Sequence, residues 1–564
     1  MLKASFRYFC LLALLVSAVP ITANAKSASA NKAAAAERAP DFASDPASPA
    51  RLAKLRLSDS DIKTYKKIFV AQRKGDRKEV DKLAKSLSDR TWRDGATMRK
   101  TITNMYPPQD AVASRRSYRS ALKRTPVDDN AAESVGITVA LMLKTDDTDR
   151  ALSVVQRAVE KHTIDRIEAA KLYAQIASAR LYNNDAKHAL GLSHLALQIG
   201  GVATPEAAWT AGISSWMLGD YRRAASYFAW PVRSPYADAW LRSASSYWTA
   251  RALMRTGHYK EVSAWLVEAA QHPRSFYGLI ATRALGAKFD FNWAVAPFSD
   301  RHHEILAKYP GAVRALKLAQ VGQMDMARME LALLDDKEVR AWRGALTSLA
   351  AVALKPDAAI SVAGLLQHPS AGSMDTALYP LAPWTPKDGY RLDPALINAF
   401  IRQESKFKPA AQNKVSGATG LLQLMPRTAL SIDRTAQKDK LKSPEMSISL
   451  GQKYLEELLG MTNGDLFQAA IAYNAGPTKL SSWKQRFAGV DDPLLFIELI
   501  PYSETRAYVE RVMANYWIYS LRMGIGVASL DAVAGGQPAR YAKAVLPGQP
   551  QIVVGAAQTT SKSR

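Results

Sequence analysis

A carboxylate stands at position 404, where the local pattern calls for an apolar side chain. Asp393-Pro394 reads as a helix start, a capping side chain followed by proline at the first helical position. Ile397, Phe400 and Ile401 then recur at i, i+3 and i+4, the signature of a buried helix face, and Glu404 is the next member of that series. An ionised carboxylate on an apolar face is costly, so its pKa rises and it can hold a proton near neutral pH. A general acid needs that property. The competing reading, the commoner one for a lone glutamate, has Glu404 at the helix end reaching water past Lys406 and Lys408.

Elimination narrows the chemistry around it. All eight histidines lie before residue 370, and the single cysteine is Cys10. The second half of the chain therefore cannot build a Ser-His-Asp triad, a Cys-His pair or a histidine zinc site. Carboxylates and tyrosines remain as proton-transfer groups, and neither a metal nor a cofactor is expected. His302-His303-Glu304 lacks the i, i+4 spacing of a helical zinc motif and reads as surface.

Three further segments carry candidate residues. Ser416-Gly417-Ala418-Thr419-Gly420 is a flexible turn whose glycines permit close backbone approach, and Leu421-Leu422-Gln423-Leu424-Met425-Pro426 follows it. Gln423 places an amide that both donates and accepts among apolar neighbours. In Ala470-Ile471-Ala472-Tyr473-Asn474-Ala475-Gly476-Pro477, the series Leu466, Ala469, Ala470, Tyr473 puts a tyrosine at a helix terminus. Its hydroxyl needs a partner, either Glu404 or a backbone carbonyl. In Ile500-Pro501-Tyr502-Ser503-Glu504-Thr505-Arg506-Ala507-Tyr508-Val509, Ser503 is placed to cap the next helix and Glu504 suits its positive end. Tyr508, Val509, Val512 and Tyr516 form a buried stripe on that helix.

The elements that must position these groups are helical throughout. From residue 57 to about 367 the pattern is amphipathic helix without alternating strands. A turn residue followed five positions on by a small apolar one recurs: Gly75 and Val80, Asp146 and Ala151, Asn184 and Ala189, Gly219 and Ala224, Gly257 and Val262, Gly322 and Ala327. Gly219 and Gly257 lie 38 residues apart, the spacing of a helical-hairpin repeat, and a stack of such pairs is an α-solenoid. Aromatic side chains crowd residues 209–248 and read as core. Tyr379-Pro380, Pro383-Trp384, Pro386 and Gly389-Tyr390 forbid continuous helix and mark a junction. The expected layout is a signal peptide over 1–25 and a low-complexity leader over 26–50. A helical solenoid over 51–378 follows, then a Pro-rich linker over 379–390, a catalytic domain over 391–525 and a loose tail over 526–564.

Charge and leader point outward. Lys3 and Arg7, an apolar run over 8–21 and Ala23-Asn24-Ala25 have the form of an export signal, so the mature chain lacks cysteine and disulfides. The excess of 75 Lys and Arg over 51 Asp and Glu, +24, favours an anionic polymer as partner. For an exported protein that is cell wall or membrane surface, not nucleic acid, and no membrane span is expected.

The four segments, in this order and spacing, resemble the soluble lytic murein transglycosylases, a periplasmic family with a lysozyme-like domain on a helical superhelix. Ser275-Phe276-Tyr277-Gly278 also resembles a family segment. The resemblance implies an all-α protein, a helical-hairpin solenoid followed by a lysozyme-like α-helical catalytic domain. It implies cleavage of the β-1,4 bond between N-acetylmuramic acid and N-acetylglucosamine, leaving 1,6-anhydro-muramoyl products. It places the catalytic acid/base on Glu404, the substrate-binding glutamine on Gln423, the supporting tyrosine on Tyr473 and the motif glutamate on Glu504. Ser405, Ser416, Gly420, Met425, Asn474 and Tyr508, from the same motifs, complete the candidate set. The stretch between Glu404 and Gly420 is one residue longer than usual, which leaves the equivalence of Ser416 open, and Lys406-Phe407 replaces the commoner aromatic pairing. The implied partners are peptidoglycan strands and other cell-wall synthesis or remodelling proteins. A goose-type hydrolytic lysozyme and a non-catalytic wall-binding scaffold are the alternatives.

Overall fold

The computed structural model describes residues 52, 54–89, 129–294, 297–334, 339–366, 375–436 and 439–543. The signal, the leader and the end of the tail lie outside these. Every regular element among the described residues is a helix, and pairing between extended segments is limited to isolated bridges.

The weak repeat of the sequence is a physical one. Asp146, Asn184, Gly75, Gly219, Gly257 and Gly322 all adopt positive φ at the turn between the two helices of a pair. Val80, Ala151, Ala189, Ala224, Val262 and Ala327 are all buried where the second helix meets the first. In four of these turns the next residue, Asp76, Asp147, Asp185 or Asp220, caps the following helix through its carboxylate. A left-handed residue reverses the chain, an aspartate restarts the helix, and a small side chain lets the helices close.

The crowded aromatics form core. Trp248 is fully buried and meets Trp209, Trp216 and Phe228 at ring separations of 6.4, 5.0 and 5.7 Å. His302 corrects the surface reading of its segment. It is 1% exposed, lies parallel to Phe298, and closes a capping box with Ser299 at the start of helix Asp300–Lys308.

Early and late segments of the solenoid touch. Lys317 pairs with Asp89 at 2.5 Å, Lys355 with Asp59 at 2.7 Å, and the Leu57 amide donates to the Gln320 side chain at 3.0 Å.

The second domain comprises α1 (Pro394–Glu404), α2 (Pro426–Ile432), α3 (Pro444–Met461), α4 (Leu466–Ala475), α5 (Pro477–Arg486), α6 (Pro493–Glu498), α7 (Ser503–Arg522) and α8 (Ala528–Ala534). The packing of α1 against α7 is its centre. Proline opens α1 as the sequence suggests, but Asp393 makes no capping bond. Its carboxylate instead accepts from the Tyr516 hydroxyl at 3.0 Å, and its amide donates to the Tyr541 hydroxyl at 3.0 Å. Ser503 likewise does not cap α7; Tyr502 holds the N-cap position.

Two stretches pack more closely than the sequence suggests. Arg402 and Arg522 donate to the Leu378 and Tyr379 carbonyls, so the junction is fixed to the domain. Residues 526–543 are not a loose tail: α8 buries Leu530 and Val533, and the Leu466 amide donates to the Ala539 carbonyl at 2.8 Å.

Solenoid and second domain share a core. Phe276 stacks on Trp517 at 5.2 Å, Arg251 pairs with Asp492 at 2.5 Å, and the Tyr277 hydroxyl donates to the buried Glu498 carboxyl. Burial raises the pKa of Glu498, opposed by the Tyr277 bond and the Arg506 charge. Burial also raises that of Glu510 on α7, and the charge of Glu498 raises it further, against Arg506 and Arg511. Carboxyls with raised native pKa values stabilise the fold below the ordinary carboxyl range, and that stability fades as pH rises through the native values. Thermal unfolding against pH should show stability falling from about pH 5 to pH 8. Glu510→Gln should recover on the order of 1 kcal/mol at pH 8 and change little at pH 5.

Candidate active site

Glu404 is the last residue of α1, half-buried, on the stripe that also carries Ile397, Phe400 and Ile401. The chain then reverses through Lys406 and Phe407, both left-handed at φ 50 and 63°, which returns Phe407 to the core at 1% exposure. Consecutive non-glycine residues in this region are strained, and the strain sits beside the candidate acid. Ser405 is buried and closes the helix end, its hydroxyl donating to the Ile401 carbonyl at 3.1 Å.

The Tyr508 hydroxyl donates to Glu404 Oε1 at 2.5 Å. Burial pushes the Glu404 carboxyl up to about 7. The Tyr508 bond opposes that rise, and the negative charge of Glu504 adds to it. Glu504 itself is exposed in the first turn of α7.

Tyr473 takes the other of its two options. Its hydroxyl donates to the Leu422 carbonyl at 2.7 Å, while its ring stands edge-on to Phe400 at 4.8 Å. Burial, with the charge of Glu404 close by, holds its pKa well above the ordinary tyrosine value. Tyr508, which the sequence places in an apolar stripe, is thus the direct partner of Glu404. The available signal was its position one turn after Glu504 on a helix facing α1.

The loop over 411–425 joins the site through the bond from Tyr473 to the Leu422 carbonyl. Gly420 lies at φ 90°, and a Cβ there would fall 2.1 Å from the Leu441 carbonyl oxygen and 2.6 Å from Ser447 Oγ. The Leu422 amide donates to the same Ser447 hydroxyl at 3.4 Å. Sequence reasoning misses Ser447; its only signal is a small polar residue beside the apolar Ile448 and Leu450 of α3. The Gln423 amide nitrogen donates to the Ala411 and Gly420 carbonyls at 3.0 and 2.7 Å, which orients its carbonyl end. Ser416 is exposed, its hydroxyl accepting from the Ala418 amide at 3.3 Å. Met425 holds the N-cap position of α2 without a side-chain capping bond and is 41% exposed. Asn474 accepts from the Thr505 hydroxyl at 2.6 Å, tying the end of α4 to the first turn of α7. Glu404, Tyr508, Tyr473 and Glu504 are thus brought together by contact or charge, with the Gln423 loop fixed to Tyr473 through Leu422. Ser416 stays at the loop surface.

A half-buried carboxyl that titrates near neutrality beside a donor hydroxyl can give a proton and take one back. Residues 385–495 match the Transglycosylase SLT domain, and residues 499–527 match the Soluble lytic transglycosylase helical domain. Soluble lytic murein transglycosylase of Escherichia coli K12 is 28% identical over 320 residues, 54% of this chain and 47% of that protein. Its Salmonella typhimurium counterpart is 29% identical over 321 residues, with the same shares. The chain resembles the soluble lytic murein transglycosylases.

The matched stretch spans about half the length of these curated relatives. The lytic transglycosylase Slt of Pseudomonas aeruginosa, solved as an inactive mutant, superposes with a TM-score of 0.53 at 24% identity, covering 86% of this chain and 75% of that one. The 70-kDa soluble lytic transglycosylase solved with bulgecin A gives 0.52 at 22%, covering 84% and 74%. The fold is therefore that of these enzymes, a helical solenoid followed by an SLT domain. The SLT match opens at residue 385, inside the Pro-rich junction, and the helical-domain match falls on α7 rather than on the solenoid.

Two measurements probe this geometry. Gly420→Ala adds a Cβ against backbone at a left-handed position, so it should cost roughly 2–4 kcal/mol of stability, read as a lowered Tm. Carboxyl titration by NMR or infrared difference spectroscopy should move in opposite directions for two variants. Tyr508→Phe removes a bond to the charged form and raises the Glu404 pKa, whereas Glu504→Gln removes a like charge and lowers it.

Proposed function

We propose that this chain is a lytic transglycosylase that cleaves the β-1,4 bond between N-acetylmuramic acid and N-acetylglucosamine in peptidoglycan, with Glu404 as acid and then base. The observation that carries this reading is the seating of Glu404, half-buried with a pKa of about 7 and bonded to Tyr508. Protonated Glu404 donates to the glycosidic oxygen as the bond from the muramoyl C1 breaks. The carboxylate so formed accepts the Tyr508 hydrogen bond, which favours the charged state. It then removes the proton of the muramoyl 6-hydroxyl as that oxygen closes on C1. The ring closure gives the 1,6-anhydro product, returns Glu404 to its protonated form and consumes no water. A second carboxylate to activate water, as in inverting glycosidases, has no part in it. A pKa near the working pH suits a group that must both give and take a proton.

The SLT match and the E. coli and Salmonella relatives support the substrate and reaction class. The export signal over 1–25 supports a periplasmic site of action, and the +24 charge suits the carboxylates of peptide stems. The solenoid would guide glycan strands toward the cleft.

The test is mass spectrometry of soluble products after purified mature protein digests peptidoglycan, beside Glu404→Gln. Muropeptides one water lighter than hydrolytic products are expected, with turnover down at least about 10³-fold in the variant while glycan binding persists. Reducing-end products would assign hydrolysis instead. Equal activity in both proteins would remove Glu404 from the chemistry.

A further inference from the structure

Helix α7 has two working faces. On one, Tyr508 donates to Glu404, Asn515 accepts from Arg402 and Tyr516 donates to Asp393, so this face meets α1. Arg506, Glu510 and Trp517 recur at i, i+4 and i+11, on roughly the opposite side of a helix with about 3.6 residues per turn. This second face meets the solenoid. Arg506 lies over the ring of Tyr182, Trp517 stacks on Phe276, and the charge of Asp238, which caps the solenoid helix Ala239–Arg255, reaches Glu510. Glu510 is two residues from Tyr508, so what seats one on the solenoid aligns the other with α1.

The solenoid contact holds a second carboxyl. Glu498, the last residue of α6, is 5% exposed and accepts from the hydroxyl of Tyr277, itself buried. The charges of Glu498 and Glu510 both reach that hydroxyl, and they reach each other. The cations that face the pair are few. Arg506 donates to the Ile500 carbonyl and covers Tyr182, and Arg511 is exposed. Arg251, with Tyr247 beside it, is taken by Asp492 at 2.5 Å, and Asp238 adds a further negative charge. Burial pushes the Glu498 carboxyl up to about 7, and burial and the Glu498 charge together raise that of Glu510. Both can ionise together only if the contact opens to water. Seating α7 on the solenoid thus needs a proton that the catalytic step never uses.

We propose that Glu498 and Glu510 are positioning residues: a proton held at the pair seats α7 on the solenoid and keeps Tyr508 on Glu404, and its loss lets α7 move and uncouples the two. This rests on the reading of the site given above. An uncoupled Glu404 lacks the hydrogen bond that favours its charged form, so the carboxylate made when the glycosidic oxygen is protonated is less stable. Turnover then falls on the alkaline side through two protons rather than one, that of Glu404 as the acid and that of the pair.

The experiment is the pH profile of kcat for the full mature chain on soluble glycan strands, beside Glu510→Gln and Glu498→Gln, which keep the neutral form at every pH. At the alkaline end wild type should lose kcat roughly a hundredfold per pH unit, and each variant roughly tenfold, the limb left by Glu404 alone. Below about pH 6 all three should turn over within about twofold of one another, and near pH 9 the variants should exceed wild type by roughly tenfold or more. A one-proton limb in wild type, or variants whose limb matches a two-proton wild type, would overturn the proposal, and the first of these needs no variant to fold. Hydrogen exchange of α7 without substrate separates the seating from the reaction. Its protection, corrected for the intrinsic effect of pH on exchange, should fall between about pH 6 and pH 9 in wild type and hold in Glu510→Gln. That result in a chain whose Glu404→Gln variant is as active as wild type would leave the seating of α7 standing and overturn the catalytic reading. Unchanged protection with Glu404-dependent cleavage would do the reverse.

Discussion

Holding a carboxyl group partly out of water without losing it to a permanent ion pair is the constraint around which the second domain is built. A basic partner would bring the Glu404 pKa back down, and full exposure would do the same by restoring hydration. The structure supplies instead an apolar stripe on α1 and a single tyrosine hydroxyl from α7. Both conditions depend on α1 and α7 keeping one register. That register is set by bonds that do not involve Glu404: Asp393 between Tyr516 and Tyr541 at one end of α1, and Arg402 bonded to Asn515 and the Leu378 carbonyl at the other.

Helix α7 also joins the two halves of the molecule. Its first turn meets Asn474 through Thr505, its second presents Tyr508, and its later turns stack Trp517 on the solenoid residue Phe276. Arg506 lies over the ring of Tyr182, 4.3 Å from its centroid, and Glu510 shares a buried charge environment with Glu498 and Tyr277. Ser275-Phe276-Tyr277-Gly278 forms this contact because Ser275 caps its helix and Gly278 lies where a Cβ would meet the His272 carbonyl at 2.1 Å. The solenoid is thus part of the scaffold on which Tyr508 is mounted.

How much of this the sequence could reveal follows the range of the forces involved. Helical periodicity, the left-handed turns and the small residues five positions after them are local, and each was legible in the repeat. Glu404 was legible because a carboxylate breaks a local apolar series. The partner of each tyrosine was not, because Tyr473 and Tyr508 have the same chemistry on two helices that both face α1, and only the packing decides which reaches Glu404. Capping failed for Asp393 and Ser503 for a related reason. A side chain that can cap a helix can also bond a tertiary partner, and Asp393 has Tyr516. His302 carried no metal spacing, yet its capping box with Ser299 was within local reach of the sequence. The packed stretch over 526–543 was hidden by its Gly, Ala and Pro content, which suits close packing as well as it suits looseness.

The exchange between the two tyrosines has a mechanical consequence. By donating to the Leu422 carbonyl, Tyr473 fixes the loop that carries Gln423, while Ser447 holds the Leu422 amide and fills the space that Gly420 leaves open. The loop is thus anchored at both the amide and the carbonyl of one residue, Leu422, and the Gln423 side chain is turned by its own bonds to Ala411 and Gly420. Had Tyr473 bonded Glu404, the loop would lose an anchor and the carboxyl would gain a second donor, lowering its pKa away from neutrality. Dividing the work, one tyrosine for the loop and one for the acid, lets the cleft be rigid while Glu404 stays able to change its protonation state.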